Sequence, residues 1–325
     1  MIVCQFLQIH PLEFIHLQLL VLQVLKSKKK ISQFIASDLS DVFLVIDAEG
    51  IDDPAHMQLI NEMVNNSFNA KGIIIVKSSK LTWSVSGNQK KYPIISINKA
   101  KIKLKDKKVK LNIQAKLKKG TITQNVIGYI KGSEVPDSFL VVSAHYDHLG
   151  MLGPDAIFYG ANDNASGTAM LLNLAMYYSK PENKPEYSIL FIAFGAEEIG
   201  LLGSKYYVEN PYFSLEKIKF LINIDIMGTG DDGITVVNGS VHQKEFDLLT
   251  KINTEKQYLR CIKKRGKAAN SDHHMFDEKG VKSIFIYTMG GSKAYHDVQD
   301  SASNLTLFKY NECFKLIRNF IKVYK

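Results

Sequence analysis

Five residues of the types that hold divalent cations recur near the ends of apolar segments between positions 145 and 296 of this chain: His145, Asp163, Glu198, Asp225 and His296. Imidazole nitrogen and carboxylate oxygen are donors that suit zinc. A single catalytic zinc takes about three protein ligands and keeps one position for water, so five are more than one ion needs. They suit two ions if one carboxylate bridges them. Two ions roughly 3.5–4 Å apart polarise a scissile carbonyl and lower the pKa of a shared water. Glu197, beside Glu198, supplies the remaining part. One carboxylate of that pair can bind metal while its neighbour accepts the water's proton.

Taken singly, each piece has a plainer reading. An H-x-D triplet such as His145–Asp147 arises by chance, and Glu-Glu at a helix start serves the helix dipole. Asp225 after a buried strand could cap a helix or sit in a turn. GANDNASG (160–167) could be only a loop with Asn164 or Ser166 as helix cap. His273 and His274 in SDHHMF read as a helix opening with Asp272 as its cap. What favours a metal site is that the acids and imidazoles occur together, in order, and mostly just after strands.

The elements that must position these residues alternate between strand and helix. Apolar runs at 124–131, 138–144, 188–194, 219–226 and 283–288 read as strands. Helical patterns fall at about 165–180, 197–209, 241–256, 272–279 and 304–324. Strands that are apolar almost throughout and separated by helices imply a largely parallel sheet covered on both faces. Function in such sheets collects at the carboxyl ends of the strands. The candidate residues fall there.

The chain carries a formal charge of +9, of which the stretch 101–119, with nine lysines and one aspartate, supplies +8. Its lysines alternate with Ile102, Leu104, Val109, Leu111, Ile113 and Leu117, which predicts a strand hairpin turning near Asp106–Lys108 with one solvated face. No aromatic residues interleave these lysines as a single-stranded nucleic-acid site would require, so no nucleic-acid partner is expected. Upstream, 41–48 and 71–79 read as buried strands around a helix from about Pro54 to Asn66, and YPIISI (92–97) leads into the lysine stretch. Cys4, Cys261 and Cys313 give no disulfide framework and no CxxC motif, although a Cys261–Cys313 bridge is open. Residues 2–25 are apolar but interrupted by polar groups, and the lysines at 26–30 follow them rather than precede them. That makes a poor signal peptide and a poor membrane span. It leaves 1–37 as an N-terminal segment without an assigned fold and predicts no stable membrane insertion. The sequence carries no information on the oligomeric state.

Taken in order, SAHYDHLG, GANDNASG, AFGAEEIGLLGS, NIDIMG, SDHHMF and YHDVQDSASNL resemble the co-catalytic, two-zinc aminopeptidase family, which also contains the glutamate carboxypeptidase and transferrin receptor relatives. The resemblance covers about 119–325. It implies an α/β three-layer sandwich with a mostly parallel, mixed central sheet, and a peptide hydrolase that uses two zinc ions. It assigns His145 and Asp225 to one zinc, Glu198 and His296 to the other, and Asp163 to both. Glu197 would be the general base and acid, Asp147 would orient His145, Tyr295 would donate to the oxyanion, and Asp300 would stand behind the ligands. Residues 38–118 resemble, more loosely, the small β-rich protease-associated domain that many members carry, on DVFLVIDAEG, KGIIIVKSS and YPIISI. Family members are mostly exported, which implies a periplasmic or secreted location. Aminopeptidase action on peptides is the leading expectation. A single-zinc glutaminyl cyclase, a carboxypeptidase or dipeptidase on the same core, and a non-catalytic receptor ectodomain are the alternatives.

Overall fold

The computed structural model describes residues 2–5, 17–23, 38–50, 53–101, 108–109, 111 and 113–325. The chain divides into two compact units, 1–121 and 122–325.

The first unit is built on a six-stranded sheet. Strands β1 (Ile2–Gln5), β2 (Leu17–Gln23), β3 (Val42–Asp47), β4 (Gly72–Lys77), β5 (Ile94–Asn98) and β6 (Lys108–Val109) lie in the order β1-β5-β4-β3-β2-β6. The inner strands β2 to β5 run parallel, and β1 and β6 flank them antiparallel. Alternate residues of β3 serve the two faces. Leu44 and Ile46 pack with Met63 of helix α1 (Pro54–Val64), while Phe43 and Val45 pack with Ile74, Val76 and Ile95.

Two expectations change here. Residues 2–5 and 17–23, read as an uncertain N-terminal segment, form strands of this sheet. β2 is an interior strand, parallel to β3 and antiparallel to β6. The predicted lysine hairpin is largely replaced. Its turn, 102–107, lies outside the described residues, and 113–118 is not strand. Irregular hydrogen bonds stand in for a ladder there: Leu117 N–H donates to Gln89 Oε1 and Gln89 Nε2 donates to the Ala115 carbonyl. Its lysines at 116 and 118 are nonetheless exposed and Leu117 half-buried, so the alternation reports burial rather than pairing.

In the second unit, β7 (Val126–Ile130), β8 (Val135–His145), β11 (Tyr187–Phe194), β12 (Ile218–Asp225), β13 (Gly233–Val237), β14 (Ile262–Lys264) and β15 (Ser283–Met289) form a seven-stranded mixed sheet, ordered β14-β13-β15-β12-β8-β11-β7. A small hairpin, β9 (Gly150–Leu152) with β10 (Ala156–Phe158), precedes the first helix. The central strands β11, β8, β12 and β15 are mutually parallel. Helices α2 (Gly167–Tyr178), α4 (Gln243–Lys256) and α6 (Tyr310–Val323) cover one face, burying Leu174, Leu249 and Phe320 against Val142, Ile222 and Ile286. Helices α3 (Leu202–Glu209) and α5 (His273–Asp277) cover the other, where Tyr207 and Phe276 stack over Phe194 and Leu221. This is the expected three-layer α/β sandwich.

The five predicted strands of this unit are present. The short strands β9, β10, β13 and β14 are additional. Cys261 is exposed and Cys313 buried, and both are free thiols, so the open bridge between them is not formed. No helix among the described residues is long and apolar enough to cross a membrane.

Buried His273 yields a prediction about stability. It is fully buried, packs on Phe285 with ring centroids 5.4 Å apart, and neither ring nitrogen makes a hydrogen bond of normal geometry. Burial pushes its pKa down to about 4. The unfolded chain therefore binds this proton first as pH falls from about 6.5, and the folded state loses stability until about pH 4. The loss approaches about 3 kcal/mol. His273→Phe removes that component, so denaturation curves should show the variant gaining on the native protein by about that much between pH 7 and pH 4. Parallel pH profiles for the two proteins would refute this.

Candidate active site

Four of the five candidate ligands stand at or just beyond the carboxyl ends of adjacent strands. His145 closes β8, Asp225 closes β12, Glu198 follows β11, and His296 follows β15. The fifth, Asp163, lies in the π-type turn 161–166 that leads into α2. Asn164 ties this turn to the sheet. Its amide donates to the Ile224 carbonyl at 3.1 Å, and its Oδ1 accepts the N–H of Gly167 at 2.9 Å and of Ile226 at 3.3 Å. Asn164 thus does the capping expected of it while also bracing β12. Ser166 does not cap; its hydroxyl donates to the Asn162 carbonyl and accepts Met227 N–H.

The structure brings the five together. His145 Nε2 lies 3.4 Å from Asp163 Oδ1 and 3.3 Å from Asp225 Oδ2. His296 Nε2 lies 3.4 Å from Asp163 Oδ2 and 3.3 Å from Glu198 Oε2. The two oxygens of Asp163 therefore face different imidazoles. With Glu197, these residues line a cavity of about 250 Å³.

The donor set fits cations. His145 Nδ1 is 3.1 Å from the Asp147 carbonyl, which takes its N–H and leaves the Nε2 lone pair facing two carboxylate oxygens. Lone pairs converging in this way need a positive charge among them, either a proton or a metal ion. Asp225 Oδ1 is buried without a hydrogen bond, as an oxygen reserved for such an ion would be. Without an ion, protons would meet the need. Burial opposes charge on His145, but Asp225 and then Asp163 raise its pKa well above the usual imidazole range. Burial likewise opposes charge on His296, and Asp163 and Glu198 lift it to about 10. Burial works against an ionised Asp163, yet its bonds to His145 and His296 hold it far below the carboxylate range.

Asp147 stands beside His145 and also serves the glutamate pair. Its carboxylate is 3.8 Å from His145 Nδ1 and accepts the backbone N–H groups of Glu197 at 3.0 Å and Glu198 at 3.2 Å. It therefore anchors the Glu197–Glu198 pair, while its carbonyl orients His145. The pair itself precedes α3 rather than opening it, because a turn at 197–201 intervenes. Asp300 accepts the N–H groups of Asn162 and Asp163 at 2.8 and 3.0 Å, behind the Asp163 side chain. The Tyr295 ring stacks on His296 at 3.9 Å between centroids, and burial followed by the nearby carboxylates raises its phenol above the ordinary tyrosine value.

Two buried groups carry more than the sequence reading gave them. His148 Nδ1 sits 2.8 Å from Glu198 Oε1, and His148, Asp163 and Glu198 offer converging ligand atoms. Its place in HYDH, three residues after His145, was the available signal. Gly160 makes room for it, since a Cβ there would fall 2.5 Å from the His148 ring. Asp272 stands at the start of α5 but makes no capping bond. It is fully buried, and burial raises its carboxyl to about 7. The backbone also bends at the site: Ala196, Ile226 and His296 have positive φ, and Ile226 is β-branched, so each is held there by its surroundings.

A family model, described as Peptidase family M28, matches residues 125–321. The chain belongs to Peptidase family M28. The aminopeptidase YwaD of Bacillus subtilis (strain 168) is 29% identical over 268 residues, which is 76% of this chain and 56% of that protein. A glutamate carboxypeptidase 2 homolog of Caenorhabditis elegans is 39% identical over 123 residues, 36% of this chain and 15% of that one. The chain thus spans about half the length of the first relative and a small part of the second. Among solved structures, BSAP, a zinc aminopeptidase from Bacillus subtilis, matches with a TM-score of 0.71 and 24% identity, covering 98% of this chain and 78% of its own. That similarity shows the fold of this M28 chain and extends over both of its units.

Proposed function

We propose that this M28 chain is a two-zinc aminopeptidase that removes N-terminal residues from peptides. The observation that carries the reading is Asp163, each of whose oxygens faces a different imidazole, with Glu197 spare in the same cavity. His145 and Asp225 would hold one ion, Glu198 and His296 the other, and Asp163 both. When bound, zinc supplies the Lewis acidity that polarises the scissile carbonyl and acidifies a water.

Glu197 accepts the proton of that water as its oxygen bonds to the carbonyl carbon. It then delivers the proton to the amide nitrogen as the carbon–nitrogen bond breaks. Burial, followed by Asp272, Asp225 and Glu198, pushes Glu197 up to about 9 against the pull of His145. Cations beside it bring such a group toward neutrality, where a general base works best. Asp147 fixes the backbone of both glutamates, so base and ligand keep their separate places. Tyr295 retains its proton and can donate it as a hydrogen bond to the developing oxyanion. Residues 38–118 would be a protease-associated-like domain without chemistry of its own; among the described residues the clusters able to hold a metal lie in the second unit.

Metal analysis together with paired substrates tests this. The expected result is two zinc ions per chain, hydrolysis of aminoacyl anilides, and no hydrolysis of their N-acetylated counterparts. One zinc with cyclisation of N-terminal glutamine and no hydrolysis would favour the cyclase reading instead. Cleavage of N-blocked peptides would favour a carboxypeptidase.

A further inference from the structure

We propose that Arg265 and Asn270 form a specificity wall in the metal-lined cavity and select substrates that carry a carboxylate away from the scissile bond. This rests on the peptidase reading above and names its substrate class.

Both residues line the same cavity as the ligands and Glu197, and both are solvent-accessible. Among the described residues the Arg265 guanidinium makes no ion pair or side-chain hydrogen bond, and neither does the Asn270 amide. An exposed arginine without a partner is common, so the comparison with its neighbours matters. Lys267 pairs with Asp277 at 2.7 Å, Lys282 reaches Glu245 at 3.5 Å, and Arg260 reaches Asp232 at 3.7 Å. Arg265 shares a cavity with four carboxylates and engages none of them.

The backbone explains why. Arg265 directly follows β14. Its N–H donates to the Val236 carbonyl at 3.0 Å, and its carbonyl accepts Ser240 N–H at 3.2 Å. Gly266 accepts from Asn238 as well. The arginine is thus fixed at the sheet margin. Asn270 is fixed from the other side, since the next two residues, Ser271 and Asp272, are fully buried and Ser271 Oγ accepts the Asn223 amide at 2.8 Å. Both side chains thus line the cavity from fixed stretches of backbone, with their donor groups unspent.

A guanidinium presents paired N–H donors that match a carboxylate, and an amide adds another. The cavity then has polarity. Its acidic, metal-binding end suits the scissile carbonyl and the free ammonium, and its Arg265 end suits an anion and repels a cationic side chain. Phe285 and Tyr287 line it too and offer contact to an aliphatic stem. At about 250 Å³ the space lies under the roughly 300–1,000 Å³ of drug-sized sites, so it takes a short piece of substrate. The carboxylate can come from an acidic N-terminal side chain or from the C-terminus of a dipeptide.

Zinc-loaded full-length protein is assayed on two substrate pairs: Glu-anilide against Gln-anilide, and Leu-Leu against Leu-Leu-amide. The expected result is a kcat/KM ratio on the order of tenfold or more for the carboxylate member of one pair. The pair that responds identifies the source. Arg265→Gln should bring that ratio to near one, Arg265→Glu should invert it, and Arg265→Lys should keep part of it. Hydrolysis with ratios near one in both pairs overturns the wall and leaves the peptidase reading intact. If no substrate turns over, calorimetric titration with Glu-Leu-amide, Gln-Leu-amide, Leu-Leu and Leu-Leu-amide reads the same contact. An affinity preference for a carboxylate that Arg265→Gln removes supports the wall while the peptidase reading fails; equal affinities overturn the wall.

Discussion

Dialysis against a strong chelator should silence hydrolysis, added zinc should restore it, and zinc should not rescue Asp163→Ala. Polarisation of a carbonyl by metal contributes several kcal/mol to the barrier, so the loss should be on the order of 10³-fold or greater. Asp163 is the sensitive position because its oxygens are the ones shared between His145 and His296. Losing it removes a ligand from both sets at once, whereas losing Asp225 or Glu198 opens one. The same treatment should move stability. An ion bound at a thousand times its dissociation constant adds about 4 kcal/mol to the folded state. For a unit near 200 residues that is a rise in Tm of roughly 8–16 °C per ion. Protons are the third readout. Against the cost of burial, the surrounding carboxylates raise both His145 and His296 above the usual imidazole range, His296 to about 10, and a ligating imidazole must give up its proton. Calorimetry in two buffers of different ionisation enthalpy should therefore show protons released on zinc binding. Turnover that survives with metal reduced below a tenth of an equivalent would end the two-zinc proposal.

What was legible in the sequence follows from how these residues are held. The central strands could be read because both faces of the sheet are buried, which makes β8, β11 and β12 apolar runs regardless of their neighbours. The candidate ligands could be read because each sits just beyond such a run or just before a helix. Strand β14 has three residues, two of them lysine, so no pattern marks it, and with it went the position of Arg265. The resemblance alone places the Asp147 carboxylate beside His145. Its hydrogen-bond partners are backbone amides about 50 residues away, and peptide N–H groups carry no residue identity to recognise. Asp272 shows the same limit from the other side. An aspartate ahead of a helix reads as a cap, and only the packing of α5 against the sheet reveals it as a buried acid near Glu197.

Glu197→Gln should lower kcat by about 10²–10⁴-fold, the range attributed to a positioned general base, with zinc content and fold unchanged. Three features of the site make this a clean substitution. The backbone N–H of residue 197 is what Asp147 holds, so the exchange leaves that anchor and the neighbouring Glu198 in place. Among the described residues, the carboxylates facing Nε2 of His145 and of His296 are those of Asp163, Asp225 and Glu198, so Glu197 stands outside the proposed ligand set. Glutamine also has the same shape and no charge to desolvate, so the burial that pushes Glu197 up to about 9 ceases to cost anything, and Tm should hold or rise slightly. Because the proton moves only as the new bond forms, kcat and kcat/KM should fall together while KM stays nearly constant. A rise in KM alone would recast Glu197 as a binding residue. Turnover close to normal with both zinc ions present would remove it from the chemistry, and the proton would then have to pass through the carboxylate of Asp225 or Asp272, the acids whose charge already acts on Glu197.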